Sequence, residues 1–443
     1  MSDSLKAPAE VSDPLLEVEP GPIRAPSWTR VVRSVRESEL WGARLVGTAG
    51  SNVLVTALGS LGGIILARML GPVGRGQVAL IVTWPAFVGG LLCLGLPQAT
   101  CYFSAGNPDR IREIVRTSSW LSLCLGAVGG AVGFLMAERI SEDPIAANGL
   151  RLMFALLPIV FVSGIRVAAM QASAIARWNV TRAIQPVSYF IAIVLLAAIG
   201  KLSVASVIAA LLITLGLQAL GSVLLDSHRS DRESRSDRRW SKGLLTYGLK
   251  NVAIGAPWLL NSRLDQLVLS LNVPMAELGN YVLAVSLSLL AAPFATAFGS
   301  LAFPRIAASE GLEARRRIGR AAVFGSLGTA AALLLPMAAA APLLIPAAFG
   351  SGFAGAVVPL VILVPGTIAF VGNQVMADVL RGLDRPMTPA LAEGIGVLIT
   401  VALLILLVPT YGIRGAAVAS VIAYLGVFSI ESVALRGSWA RAG

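Results

Sequence analysis

Charge is what this sequence has least of. Asp, Glu, Lys and Arg together make up 13% of its 443 residues, against roughly 25% in an average soluble domain. So few charges cannot cover the water-facing surface of a chain this long, which excludes a soluble protein. Histidine occurs once, as His228 in a hydrophilic stretch, so a histidine-built metal site or proton relay is excluded. The three cysteines, Cys93, Cys101 and Cys124, lie in or beside apolar runs. They show neither knuckle spacing nor a disulfide framework and read as packing residues, so neither metal nor cofactor is expected. No glycine-rich phosphate cradle follows a strand-like segment, so direct use of ATP is not supported. Met1–Pro26 has no apolar h-region; it reads as a disordered polar tail rather than a signal peptide.

What is present is apolar. Hydrophobic residues are 56% of the chain, and they cluster into runs that reach the roughly 20 residues needed to cross a bilayer. Twelve segments are expected to span, at about 45–67, 77–104, 117–137, 151–171, 183–200, 204–225, 244–270, 278–303, 318–341, 355–380, 390–409 and 413–434. The reading is an all-α polytopic membrane protein. The net charge of +11 would suggest nucleic acid in a soluble chain. Here the basic residues lie between apolar runs, so they report orientation in the membrane and no nucleic acid is expected. One alternating set of loops, with both tails, holds 26 of the 35 Lys and Arg residues; the other, the outer set, holds six, Arg68, Arg75, Arg139, Arg151, Lys201 and Arg414. The positive-inside rule then places both termini in the cytoplasm. An arginine-rich bias suggests a GC-rich bacterial genome, hence the bacterial cytoplasmic (inner) membrane.

The domain plan follows from these runs. Residues 1–44 form a cytoplasmic tail ending in a basic amphipathic segment, Ser27–Arg44, which reads equally as a helix on the membrane surface or a loose linker. Residues 45–225 make an N-terminal six-helix bundle and 244–434 a C-terminal one. Between them, 226–243 (DSHRSDRESRSDRRWSKG) is a charged cytoplasmic linker, and 435–443 is a short cytoplasmic tail.

The halves repeat. Val204–Ala209 and Val418–Ala423 are the same hexapeptide, VASVIA. Asn52-Val53 recurs as Asn251-Val252, Pro72 as Pro274 and Pro97 as Pro304, all in the same order. Six spans per half bring both halves in from the same side. That predicts a parallel pseudo-two-fold axis along the membrane normal, with a central cavity between the bundles, as in alternating-access transporters.

Ionisable groups inside spans are costly and tend to face cavities. Arg166, Lys250, Arg263 and Asp265 fall well within expected spans. On an ideal helix Tyr247, Lys250, Asn251, Trp258, Asn261 and Asp265 share one face of the seventh span, with Arg263 across from Lys250 and Pro257 able to re-aim the outer part. A lighter stripe in the first span comprises Thr48, Asn52, Thr56 and Ser60; close helix packing beside Gly59, Gly62 and Gly63 explains it as readily as substrate contact. Asp378, Glu393 and Glu431 lie near span ends, where snorkelling would carry them to water.

The stretch Leu66-Ala-Arg-Met-Leu-Gly-Pro72, with Gly76, Ala79-Leu80 and Leu94-Gly-Leu-Pro97, resembles the opening of bacterial polysaccharide flippases. These belong to the multidrug/oligosaccharidyl-lipid/polysaccharide exporter superfamily. Arg263-Leu-Asp265, Gly279, Tyr281, Phe303-Pro-Arg-Ile306, Phe349-Gly350 and Tyr411–Ala417 resemble the corresponding parts of the second half. The resemblance covers about 45–434. It implies two six-helix bundles around a central cavity, and translocation of a lipid-linked oligosaccharide from the inner to the outer leaflet for cell-surface polysaccharide synthesis. The carrier would be a polyprenyl phosphate or pyrophosphate. Its anionic head suits Arg and Lys, and its sugar hydroxyls suit Asn and Tyr. The candidate substrate-binding residues are therefore Arg166, Lys250, Asn251, Asn261, Arg263, Asp265, Asn52 and Tyr247, with no catalytic residue expected. Further expected partners are membrane lipids, a coupling proton or sodium ion and polysaccharide-assembly proteins. The alternatives are a multidrug or toxin extruder of the same superfamily, or a membrane polysaccharide polymerase or ligase. The first calls for an acid-dominated cavity and the second for large outer loops.

Overall fold

The computed structural model describes residues 28–226, 238–309 and 311–440, and among them there is no strand. Fourteen helices follow one another: α1 (Trp28–Leu92), α2 (Leu96–Gly106), α3 (Ile111–Ile140), α4 (Pro144–Ala155), α5 (Leu157–Ser173), α6 (Ile175–Ala198), α7 (Val204–Leu224), α8 (Arg238–Asn261), α9 (Leu264–Asn272), α10 (Met275–Ser288), α11 (Ala292–Ala308), α12 (Leu312–Phe349), α13 (Val357–Gly382) and α14 (Met387–Ala440). An apolar chain in lipid has no water to satisfy its backbone, so helix is the form in which each segment bonds to itself. Eight helical stretches among the described residues are long and apolar enough to cross a membrane, and the pair α4–α5, bent by 46°, makes a ninth.

The expected spans fall on these helices, and the differences lie in where the helices break. α1 and α14 each join two helices across a glycine in the left-handed region, Gly71 at φ 68° and Gly412 at φ 52°. These glycines supply the turns between the first and second, and the eleventh and twelfth, expected spans. The segment expected at 77–104 is interrupted after Leu92, where Leu94 (φ 47°) and Gly95 (φ 65°) both take positive φ, and it restarts as α2 with Pro97 in the first turn. The segment expected at 244–270 is split into α8 and α9. α1 begins at Trp28, so the basic segment up to Arg44 is helical. The tail 1–27 and linker residues 227–237 lie outside the described residues. α8 begins at Arg238, inside the expected linker, and is anchored there by Trp240 packing edge-on against Phe103.

Small residues let these helices approach. On α3, Ser118, Ser122, Gly126, Gly129, Gly130, Gly133 and Ala137 are buried along one stripe that faces Phe154 and Pro158. The principal core cluster then joins Leu80 and Ile81 of α1 to Tyr281 and Leu283 of α10, Leu360 of α13 and Leu404 of α14. The first and second halves of the chain share it.

Two backbone crossings hold the halves together. A Cβ on Gly76 would run into the carbonyl oxygen of Met275, and a Cβ on Gly279 into that of Pro72. The contact is reciprocal: the partner of each glycine lies four residues before the other glycine. Further along the chain, Gly95 and Gly248 also meet: a Cβ on Gly95 would run into the carbonyl oxygen of Gly248, and a Cβ on Gly248 into that of Leu94.

Substituting Gly76→Leu or Gly279→Leu is therefore expected to force backbone apart at a cost of about 1–3 kcal/mol. Thermal unfolding of the detergent-solubilised protein should show a melting temperature lowered by several degrees. Gly164→Ala and Gly216→Ala, whose added Cβ would meet nothing, should melt as the wild type does.

Candidate functional site

The seventh expected span is where the sequence concentrates polar groups, and its geometry begins with a break. α8 ends at Asn261 and α9 starts at Leu264, with the Arg263 amide turned back to the Leu260 carbonyl at 3.1 Å. Positions 247 and 265 thus do not share one continuous helix, and the ideal-helix projection does not carry across the break. Tyr247 stacks on Tyr102 of α2 with ring centroids 4.3 Å apart. Asn251 donates from Nδ2 to the Tyr247 carbonyl at 3.1 Å. Lys250 and Arg263 are exposed, and among the described residues neither has a carboxylate at ion-pairing distance.

Asn261 and Asp265 turn the other way, into buried networks. Asn261 Nδ2 donates to Glu393 Oε2 at 2.8 Å, and Asn261 Oδ1 accepts from Thr400 Oγ1 at 2.7 Å. Asp265 Oδ2 accepts from the Tyr281 hydroxyl at 2.6 Å and from Ser420 Oγ at 3.3 Å, while its Oδ1 accepts from the Gln266 amide at 2.7 Å. Ser420 lies in the second copy of the VASVIA repeat. In the first copy the matching Ser206 instead closes a capping box with Ser203. On the same helix as Asp265, Gln266 accepts from Thr83 at 3.5 Å and Ser270 accepts from Trp84 Nε1 at 3.0 Å. α9 is thus the polar seam between the halves of the chain.

The remaining candidates lie elsewhere. Arg166 of α5 pairs with Asp226 at 3.1 Å, just past the end of α7. The side chain of Asn52 lies outside the described residues, as do those of Thr48 and Thr56. Arg75, counted in the sequence as an outer-loop charge, instead lines a cavity of about 240 Å³ between α1 and α10, beside Gly59, Ser60 and Gly63. It donates from Nη2 to Ser286 at 3.3 Å, and its Nε is buried with no partner. Its place next to Gly76, the residue at the crossing, is the one feature in the sequence that could have singled it out.

Two further acids were expected to snorkel and do not. Glu393 is buried in its bond to Asn261, and Glu431 is 1% exposed with both carboxylate oxygens unpartnered. They share a cavity of about 320 Å³ with Trp258, Asn373, Asp378 and Arg381. Asp378 is paired to Arg381 at 2.8 Å. Neighbouring helices enclose these groups, so nearness to a span end did not bring them to water. Among the described residues no three or more His, Cys, Asp or Glu side chains gather as metal ligands. The arrangement leaves cations open at Lys250 and Arg263 and seals the acids Asp265 and Glu393 in hydrogen bonds. An exposed cation of this kind can receive an anion.

A profile of the family described as polysaccharide biosynthesis protein matches residues 46–310. No curated protein matches the sequence. The fold is similar to an inward-facing multidrug resistance MATE family transporter of the MOP superfamily, with TM-score 0.73 and 15% identity over 88% of this chain and 95% of that one. It is also similar to the lipid II flippase MurJ in an inward closed conformation, with TM-score 0.70 and 14% identity over 89% of each chain. A MOP superfamily transporter from Pyrococcus furiosus aligns with TM-score 0.55 and 13% identity over 90% of this chain and 94% of that one. At these identities the likeness is one of fold.

Removing one member of the Asn261–Glu393 pair strands the other. Asn261→Leu is expected to destabilise the protein by about 1–3 kcal/mol, because a buried acceptor loses its donor. The double variant Asn261→Leu/Glu393→Leu should cost less than the sum of the two single changes in a thermal-unfolding double-mutant cycle.

Proposed function

The chain belongs to the polysaccharide biosynthesis protein family, and from that premise we propose that it is a flippase. It moves a lipid-linked oligosaccharide from the inner to the outer leaflet of a bacterial cytoplasmic membrane, for cell-surface polysaccharide synthesis. The family match carries this reading, and the balance of charge along the broken seventh span supports it. A polyprenyl phosphate or pyrophosphate must pass a region where water no longer solvates it, and Arg or Lys can replace that solvation with charge-assisted hydrogen bonds. Lys250 and Arg263 are open to do so, with Arg75 at the cavity between α1 and α10 as a further contact. Asn251 and Tyr247 offer polar and aromatic partners for the sugar. Arg166 joins them when the carboxylate of Asp226 releases it. A cation extruder would present an acid-dominated cavity to its passenger; Asp265 is enclosed, and the cavity that Asp378, Glu393 and Glu431 line also holds Arg381.

Transport proceeds by alternating access. The two six-helix halves, related by a pseudo-two-fold axis along the membrane normal, part first at one glycine crossing and then at the other. Protonation of Asp265, or a sodium ion taken up there or beside Glu393, changes the hydrogen bonds that tie α9 to α10 and α14 and so couples the movement to an ion gradient. Both termini and the 226–243 linker lie in the cytoplasm, where assembly proteins of the pathway can reach them.

A cysteine introduced at Ser230 or in 311–317 should label only from the cytoplasmic side, and one at Asp143 or Gly352 only from outside. Labelling of Ser230 and Asp143 from one side would overturn this topology.

For transport, Lys250→Ala, Arg263→Ala and Arg75→Ala should each lower flipping about ten- to hundredfold. That follows from the roughly 1.5–3 kcal/mol contributed by a hydrogen bond to a charged group. Lipid-linked intermediates accumulating on the inner leaflet, with the variants at normal abundance in the membrane, are the readout. Asp265→Asn should lose driven transport while still binding substrate. Full activity in all three cation variants would overturn the assignment of the anion site.

A further inference from the structure

At the end of the molecule that the charge asymmetry assigns to the cytoplasm, α12 and the last turns of α14 diverge over α13. They leave a groove of about 620 Å³. Its lining is graded. At the helix ends it carries Arg316, Arg320, Arg436 and Trp439; deeper it is walled by Phe324, Leu327 and Phe428 and floored by Met376. Positions 316 and 327 of α12 lie about 16 Å apart along the helix axis, so the groove runs from a cationic mouth to an apolar interior over the depth of a lipid headgroup and the first part of its chain.

The cationic mouth is not neutralised. Among the described residues its ion-pairing acid is Glu313, 3.9 Å from Arg316 and 90% exposed. Arg320 and Arg436 have no carboxylate at ion-pairing distance among the described residues. Two buried donors there have no acceptor, Arg316 Nε and Trp439 Nε1, although buried donors are almost always paired. The Arg316 guanidinium sits 6.0 Å from the centre of the Trp439 ring, which draws both donors to one place. Below them Phe324 is 69% exposed, a large apolar face with nothing of the protein covering it.

We propose that this groove binds an anionic glycerophospholipid of the surrounding leaflet. The phosphodiester accepts from Arg316, Arg320, Arg436 and the Trp439 Nε1–H, and one acyl chain lies between Phe324 and Phe428. The charge pattern selects the lipid: a phosphate with net negative charge satisfies the arginines and the two orphaned donors, whereas a zwitterionic headgroup brings its own cation to the same place. Basic pockets between membrane helices on the cytoplasmic side have this recognition chemistry. The site lies on α12, α13 and α14, apart from Lys250, Arg263 and the α9 seam, so it does not depend on the proposed transport reaction.

The test uses the full chain in nanodiscs of equal phosphatidylglycerol and phosphatidylcholine, with retained lipid read by native mass spectrometry. The wild type should retain phosphatidylglycerol preferentially. The triple variant Arg316→Ala/Arg320→Ala/Arg436→Ala should lose that preference, with affinity lower by about a hundredfold, from roughly fivefold for each arginine. Leu327→Trp, which fills the groove and leaves every arginine, should also release the lipid; it covers the case in which the triple variant fails to fold. Equal retention of both lipids by the wild type would overturn the proposal, as would undiminished preference in the triple variant. Displacement of phosphatidylglycerol by equimolar polyprenyl phosphate would overturn it too, by making the groove a station for the substrate carrier. A variant without flipping activity that still retains phosphatidylglycerol would leave this proposal standing while the transport assignment fell.

Discussion

Everything in this fold hangs on how closely two backbones can approach without a side chain between them. In lipid, apolar side chains gain little by leaving one apolar neighbour for another, so helices hold together through packing and close approach rather than through escape from water. Gly76 against Met275 and Gly279 against Pro72 use that approach at one crossing, and Gly95 against Gly248 at a second. Contacts of this kind are strong while seated, because many atoms meet, yet what meets is glycine and backbone carbonyl, with no charged side chain between. They can part without stranding a charge. A machine that must open at each end in turn is well served by seals of that type.

The second crossing also stores strain. Leu94, whose carbonyl lies against Gly248, is a non-glycine residue at φ 47°, a conformation that costs of order 1–3 kcal/mol and persists only where its surroundings hold it. The surroundings here are α2, α3 and α8, tied by the Tyr102–Tyr247 stack and by Trp240. If α8 withdraws, Leu94 is free to relax, and α1 and α2 can straighten toward one helix. The break that looks like an irregularity in the span is thus coupled to the contact between the halves.

The sequence made the architecture legible because lipid imposes a coarse requirement, an apolar run of sufficient length, that can be read one segment at a time. The kinks at Gly71 and Gly412 coincide with expected turns for the same reason: a positive φ needs glycine. Sites were less legible. The break between α8 and α9 has no proline at it, since Pro257 lies inside α8, so the one proline able to re-aim the span did not mark where the projection of Lys250, Asn261 and Asp265 fails. Glu393 and Glu431 read as snorkelling acids because depth along a span says nothing about which helices flank it. Arg75 was assigned to a loop by the spacing of apolar residues, whereas the crossing at Gly76 draws its side chain against Ser286. In each case the missing information was a contact between segments far apart in sequence.

The repeat itself explains why the two halves are chemically unequal. A duplicated chain starts with matching positions, and the VASVIA hexapeptide still matches residue for residue. Yet Ser206 in the first copy caps its own helix, while Ser420 in the second donates to Asp265. The same side chain serves local backbone in one half and a buried carboxylate in the other, because only the second half has acquired an acid on its first span. Of the carboxylates buried among the described residues, Asp265, Glu393 and Glu431 belong to that half, and Asp226, paired with Arg166, lies at the end of the first. The buried acids of the second half are held by hydroxyl and amide donors or by none, whereas the buried acid of the first is held by an arginine. Matching residues in the two halves therefore serve different chemistry, because each copy packs against different neighbours.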